Sequence, residues 1–330
     1  MDTEVLTTLR GRKLDNWKQL LQKTGLVPEG IPEQTVLLWE NDALVATGSR
    51  QGNILKYLAV DPAHQGEGLL ASLLTALRQE AFRQGHRHLF LYTKPENEQL
   101  FLPLMFYPVA STDKVLLMED RPDGVNSFLA TLQADAEGTI GAAVMNCDPF
   151  TLGHRYLVET AASECDRLYI FVLSEDRGHF SAADRLAMVQ AGTADLPNVT
   201  VLTTGPYLIS AATFPTYFLK DRDGAEQVQC LLDIAIFCKY FAPHFGIRRR
   251  YVGTEPLSPM TSRYNEALMT HLPAAGIEVR EISRVEKNDT PVSASAVRAA
   301  LANGDWETVR TLVPPTTFAH LQKIIQEDSL

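Results

Sequence analysis

Four short stretches carry residue types and spacings suited to holding phosphate. In "NCDPFTLGHRYL", Thr151-Leu152-Gly153-His154 stands where an apolar run gives way to a helical pattern. A helix N-terminus leaves N–H groups unpaired and carries partial positive charge. Thr151 can add a hydroxyl donor, and Gly153 removes a side chain that would block close approach. His154 could donate to an α-phosphate as charge builds on it. Asn146 and Asp148, in the turn just before, are further nucleotide contacts to consider, and Cys147 reads as part of the wall. The spacing alone fits a capping threonine beside a partly buried histidine equally well. In "PVSASAVRAAL", Ser293 reads as an N-cap, Ser295 falls in the first turn, and Arg298 shares its face three residues on. That helix end suits β- and γ-phosphates; a plain capped helix with a surface arginine looks the same. In "RRRYVGTEPLSPMTSRYNEAL" a strand ends at Gly253-Thr254, after which Glu255, Arg263 and Asn265 could line a nucleotide pocket. The three arginines before it read by default as a solvated strand start. Gln65-Gly66-Glu67-Gly68 opens a long helix, where glycines let backbone amides approach a pyrophosphate; a plain glycine turn opening a helix looks the same.

The elements that must position these residues fall into two halves. Residues 13–25 read as an amphipathic helix, followed by an antiparallel meander through "TVLLWEND" and "LVATGSRQGNILKYLAV". A long helix then runs to Gly85, a C-cap, and "HLFLYT" is the next strand. A helix is expected to continue through "LFLPLMF", with Pro103 inside it. The boundary lies near residue 130, in a stretch with a Pro-Asp-Gly turn signal. Beyond it, apolar runs alternate with helical patterns: "TIGAAVMN", "RLYIFVLS", "NVTVLTT", "RRRYVGT" and "IEVREI" precede or follow helices. That alternation predicts βαβ units and a parallel sheet, with ligands at the carboxyl ends of its strands. Two other segments sit close by in this scheme. "SEDRGHFSAADR" offers Arg177, His179 and Arg185 as guards of the phosphates once a loop closes. "AATFPTYF" (211–218) has the small, aromatic and hydroxyl mix of a small-carboxylate pocket, or of a buried turn.

The bulk numbers exclude several classes. A net charge of −10 over 330 residues argues against general nucleic-acid binding, so any positive field must be local. The four cysteines have neither CxxC nor zinc-site spacing, which fits thiols in a reducing cytoplasm and gives no metal site. The N-terminus lacks an apolar signal core, and no apolar run approaches the roughly 20 residues of a membrane helix. A cytoplasmic protein of two domains, 1–130 and 131–330, is expected.

Element order and motif together point to relatives. Meander, "V-x-P-x-x-Q-G-x-G" (Val60–Gly68), long helix and strand resemble the GNAT acetyltransferase fold over residues 1–130. That resemblance implies that Gln65, Gly66 and Gly68 hold the pyrophosphate of a CoA-like group. Phe101 stands where the family often has a tyrosine acting as general acid, and phenylalanine has no proton to donate. Thr151-x-Gly153-His154 with Ser293-x-Ser295-x-x-Arg298 resembles the nucleotidyltransferase superfamily, which implies ATP binding, cleavage between the α- and β-phosphates, and Mg²⁺. Ala294 replaces a serine of its late motif. The pairing of the two halves, with "MNCDPFTLGHRYLVE", "SEDRGHFSAADRLAMV" and "ISAATFPTYFLK", resembles the citrate lyase ligase family over essentially the whole chain. The implied fold is α/β: a GNAT-like α+β domain followed by a Rossmann-like parallel domain. The implied reaction acetylates the thiol of a dephospho-CoA-derived prosthetic group on the citrate lyase acyl-carrier subunit, through acetyl-adenylate made from ATP and acetate. His154, Thr151 and Arg298 would be its catalytic residues, with Asn146, Asp148, Gly153, Gly253, Glu255, Ser293 and Ser295 binding ATP. Three other readings remain open: an adenylyltransferase acting on a phosphate ester, an N-acetyltransferase with an appended nucleotide domain, and a non-catalytic nucleotide sensor.

Overall fold

The computed structural model describes residues 1–134, 137–174, 178–208, 217, 224–255, 258–284, 286–287 and 290–327. The chain forms two compact units, Met1–Val125 with Phe214–Val228, and Asn126–Thr213 with Gln229–Leu330. Sequence patterning places a boundary near residue 130; the first break falls at Val125/Asn126, and 214–228 groups with the first unit.

The first unit is built on a seven-stranded sheet. Its strands are β1 (Asp2–Leu6), β2 (Gln34–Glu40), β3 (Ala43–Gln51), β4 (Ile54–Val60), β5 (Phe90–Thr93), β6 (Tyr107–Ser111) and β7 (Leu116–Glu119), in the order β1-β2-β3-β4-β5-β7-β6. Every neighbouring pair is antiparallel except β4 and β5. These two pair only at Ile54↔Phe90 and Leu55↔Leu91 and then part. The crossover between them is the helix Leu69–Arg83, whose buried residues Leu69, Leu73, Leu74, Leu77 and Ala81 follow helical spacing. A Cβ on Gly48 would come within 2.8 Å of both Leu58 and Leu77, so this glycine lets the helix settle on β3. The helix stops as expected, with Gly85 at φ +86° just beyond its end. β1 was not legible, because as an edge strand it is tied by backbone pairing to β2 and buries no full face. The helix expected through "LFLPLMF" ends at Phe101; Leu102–Leu104 is a tighter turn around Pro103, closed by Met105 in the left-handed region (φ +57°).

The second unit is the predicted parallel α/β layer structure. Strands β8 (Ile140–Met145), β9 (Arg167–Val172), β10 (Val199–Thr203), β11 (Arg249–Gly253) and β12 (Glu278–Ile282) lie in the order β10-β9-β8-β11-β12, all parallel. The chain walks outward from β8 to β10, then returns to the other side of β8. The strand order therefore reverses between β8 and β11, where such sheets bind ligands. Val158, Ala161, Met188, Val189, Val297, Val309 and Leu321, from the helices behind, pack with Ile170, Val172 and Tyr251 in one core. The arginine run before Gly253 is not a solvated strand start throughout. Arg250 is 2% exposed, and its guanidinium lies over the Phe237 ring at 4.6 Å. Among the described residues no helix is long and apolar enough to cross a membrane.

Candidate active site

β8 ends at Met145, and the chain turns through Cys147 in the left-handed region (φ +53°) and a cis Asp148–Pro149 bond. The helix Leu152–Ser163 then begins with Thr151 as its N-cap. Thr151 is 1% exposed; its hydroxyl oxygen accepts the His154 N–H at 3.3 Å, and its own N–H donates to His154 Nδ1 at 3.0 Å. Thr151 is therefore the residue that fixes His154, not one reaching outward to a phosphate. Because Nδ1 accepts, the ring proton sits on Nε2. The Phe150 ring stacks on the imidazole at 5.9 Å and 14°.

Crowding by the surrounding protein, and then the positive charge of Arg284, push the His154 pKa down to about 4. The imidazole is thus a neutral Nε2–H donor at pH 7. In the unfolded chain a histidine titrates near ~6.5. As pH falls below that value the unfolded state takes up a proton that the folded state refuses until about pH 4. The stabilisation is complete above the unfolded pKa and declines on acidification. Thermal melts of the ligand-free protein should lose more Tm between pH 6.5 and 4 in wild type than in His154→Gln. Parallel pH slopes for the two would contradict this.

The late Ser/Arg stretch comes to the same place. Ser293 caps the helix Ala294–Ala302 by accepting the Ala296 N–H at 3.2 Å. Arg298 donates through Nη1 to the Asp148 carbonyl, lies 3.6 Å from its carboxylate, and donates through Nη2 to Ser295 Oγ at 3.2 Å. Two helix N-termini about 140 residues apart therefore converge. Gly153 is the contact point: a Cβ there would sit 3.0 Å from the Val292 carbonyl oxygen. Gly153 thus makes room for the incoming chain at 292, in addition to any ligand. Gly153→Ala should displace the Ser293 helix and lower ATP affinity by about tenfold, a loss on the scale of one well-made contact. Unchanged affinity in a calorimetric titration would show that the two helix ends move independently.

β11 supplies the third side. Gly253, its last residue, gives its carbonyl to the buried Asn265 amide at 2.9 Å. Glu255 does not point free into a pocket. Its carboxylate accepts the Ser258 N–H at 3.1 Å and pairs with Arg284. Arg284 also donates to the Thr254 carbonyl at 2.7 Å. Sequence reasoning missed Arg284, although it lies two residues beyond the end of β12, where a parallel sheet presents its ligand groups. Arg263 is exposed on the helix Pro259–His271.

Other residues singled out from the sequence turn out to hold the turn in place. Asp148 is 7% exposed, and its two carboxylate oxygens accept the His179 and Phe180 N–H groups at 2.9 Å each. It ties the 178–180 segment to the turn, each oxygen holding a backbone N–H. Arg185 is fully buried and donates to Asn146 Oδ1 at 2.6 Å, to the Asn146 carbonyl and to the Phe180 carbonyl. It cannot guard phosphates, and Asn146 is held by it; His179 is exposed. The Cys147 thiol is 1% exposed, and burial raises its pKa far above the usual thiol range, which makes it wall, not nucleophile. Arg177 and residues 211–216 and 218 lie outside the described residues.

In the first unit, Gln65, Gly66 and Gly68 line a cavity of about 840 Å³. Gly66 and Gly68 take φ +89° and +77° with open space beside them, and no side chain caps the helix they start. Phe101 is in the same wall, 5% exposed.

The family model described as "Citrate lyase ligase C-terminal domain" matches residues 140–321, and that of the "Acetyltransferase (GNAT) family" matches residues 16–100. The chain is 41% identical over 317 residues to the [citrate [pro-3S]-lyase] ligase of Klebsiella pneumoniae, covering 94% of this chain and 93% of the relative. It is 37% identical over 323 residues to the enzyme of the same name from Escherichia coli (strain K12), covering 96% and 92%. A shorter stretch of 56 residues is 41% identical to phosphopantetheine adenylyltransferase of Staphylococcus carnosus, covering 16% of this chain and 35% of that protein. Whole-length identity at this level, with a family model spanning more than half of the residues, shows that the chain belongs to the citrate lyase ligase family.

Proposed function

We propose that this protein activates citrate lyase by acetylating the thiol of the prosthetic group on its acyl-carrier subunit, using ATP and acetate. One observation carries the chemistry. Two helix N-termini, a neutral Nε2–H donor and the guanidinium groups of Arg284 and Arg298 gather at the carboxyl ends of β8 and β11. Asp148 and Glu255 offset the guanidinium charge, so the site offers a convergent set of N–H donors at two helix N-termini, suited to a triphosphate in a chain of net charge −10.

In this reading an acetate oxygen attacks the α-phosphorus of ATP in line. A new O–P bond forms, the bond from the α-phosphorus to the bridging oxygen breaks, and pyrophosphate leaves with the electron pair. His154 donates from Nε2 to the α-phosphate as its charge rises, and Arg284 adds positive potential beside it. Ser293, Ser295 and Arg298 steady the departing pyrophosphate. The carrier thiolate then attacks the acetyl carbonyl carbon, a C–S bond forms, the C–O bond to the phosphate breaks, and AMP leaves with the electron pair. The nucleophilic sulfur belongs to the partner, so no cysteine of this chain is needed. Thr151, Asp148 and Glu255 act by holding His154, the turn and Arg284. Mg²⁺ would arrive on the nucleotide's own oxygens. Among the described residues no group of three His, Cys, Asp or Glu side chains could hold a metal.

Residues 131–330 then adenylate, while residues 1–130 hold the CoA-like arm at Gln65, Gly66 and Gly68. The stretch similar to a phosphopantetheine adenylyltransferase favours a second reading, with a phosphate ester as the acceptor. ATP–pyrophosphate exchange separates them. Exchange that requires acetate supports the ligase, and exchange that requires 4′-phosphopantetheine with acetate inert sinks it.

A further inference from the structure

Tyr217 belongs to the 214–228 stretch that groups with the first unit, about ninety residues after the rest of that unit ends. It is 4% exposed and forms part of the wall of the 840 Å³ cavity that Gln65, Gly66 and Gly68 also line. Its hydroxyl donates to the Tyr92 carbonyl at 3.3 Å, in the region where β4 and β5 have already parted. Its ring packs on Tyr57 at 4.7 Å, and its own carbonyl accepts the Val27 N–H at 3.0 Å. Burial raises the phenol pKa above the usual range, so it stays a neutral O–H donor. Phe101, which also lines the cavity, offers no proton.

The level of Tyr217 in the cleft matters. Tyr57 lies three residues before Val60, about 10 Å down β4 from the strand end that leads into the glycine loop, at ~3.3 Å per residue. A diphosphate at Gly66 and Gly68 would leave an extended, amide-bearing arm to run along the parted edges of β4 and β5, much as an added strand would. The geometry points to Tyr217 as the positioning residue for the thiol end of that arm. It closes the inner end of the cleft, so the cavity receives a thiol-ended pantetheine chain and admits no amine acceptor behind it. This inference rests on the proposal that the first unit holds the CoA-like arm. It adds where the arm ends and what stops it.

The test uses the full chain with its nucleotide site saturated by the α,β-methylene analogue of ATP. Dephospho-CoA, which has the arm, and ADP, which lacks it, are titrated calorimetrically into wild type, Tyr217→Phe and Tyr217→Ala. Tyr217→Ala should weaken dephospho-CoA about tenfold and leave ADP unchanged. Tyr217→Phe, which keeps the ring, should stay within about threefold of wild type and serves as the folded control. Equal dephospho-CoA affinity in wild type and Tyr217→Ala, or equal weakening of both probes, overturns the assignment of Tyr217 alone. No dephospho-CoA binding by wild type overturns the arm-holding role as well, and acetate-dependent exchange would still report on the adenylation reading separately.

Discussion

Replacing His154 by alanine should lower acetate-dependent ATP–pyrophosphate exchange by about 10²- to 10³-fold, the usual loss for one preorganised donor to a developing oxyanion. ATP affinity should change much less, because the donor matters most once charge builds on the α-phosphate. The alanine variant also removes the acceptor for the Thr151 N–H, so two further variants separate the roles. His154→Asn keeps a short side-chain acceptor near the Nδ1 position and loses the donor beyond it. It should fold like wild type and be as slow as alanine. His154→Gln places an amide N–H near the Nε2 position and should recover part of the rate. If asparagine restored activity and glutamine did not, the histidine would be a cap and nothing more.

The second large effect is expected at Arg298. Its guanidinium holds two partners at once, the Asp148 carbonyl and Ser295 Oγ, from a position only partly exposed. Arg298→Met should reduce kcat/KM for ATP by about 10²-fold, consistent with removing a charge-assisted contact to phosphate. The fold should survive, because Asp148 keeps its two backbone N–H partners. Arg298→Lys should recover little, since an ammonium cannot replace a planar fork that serves both partners. Full activity in the lysine variant would mean that only a point charge is required there.

How much of this was legible in the chain depends on the range of the interaction. Strand-to-helix junctions were readable because local rules govern them: Ser293 and Thr151 cap the helices they were read as opening, and Gly85 ends the one it was read as ending. That three distant stretches share one end of a parallel sheet followed from the βαβ alternation. Which partner each polar residue chooses did not follow. Spacing offers Asp148 and Glu255 as nucleotide contacts, yet one holds the amides of residues 179 and 180, and the other holds Arg284 and Ser258. A carboxylate near a site looks the same in sequence whether it faces a ligand or the backbone of a neighbouring loop. Arg185 shows the same ambiguity for a cation. Local spacing explains Gly153 by a ligand, but what its missing Cβ also admits is the carbonyl of Val292, nearly 140 residues later. Tyr217 is harder still, because nothing local marks a tyrosine that folds back onto an earlier unit.

The most direct measurement incubates the protein with Mg·ATP, acetate and the deacetylated acyl-carrier subunit of citrate lyase, then weighs the carrier by mass spectrometry while AMP is quantified. The carrier should gain the mass of one acetyl group, with one AMP formed for each group added, and His154→Asn should slow both together by about 10²- to 10³-fold. A carrier of unchanged mass while AMP accumulates, or one that gains a nucleotide in place of an acetyl group, would contradict the acetylating role.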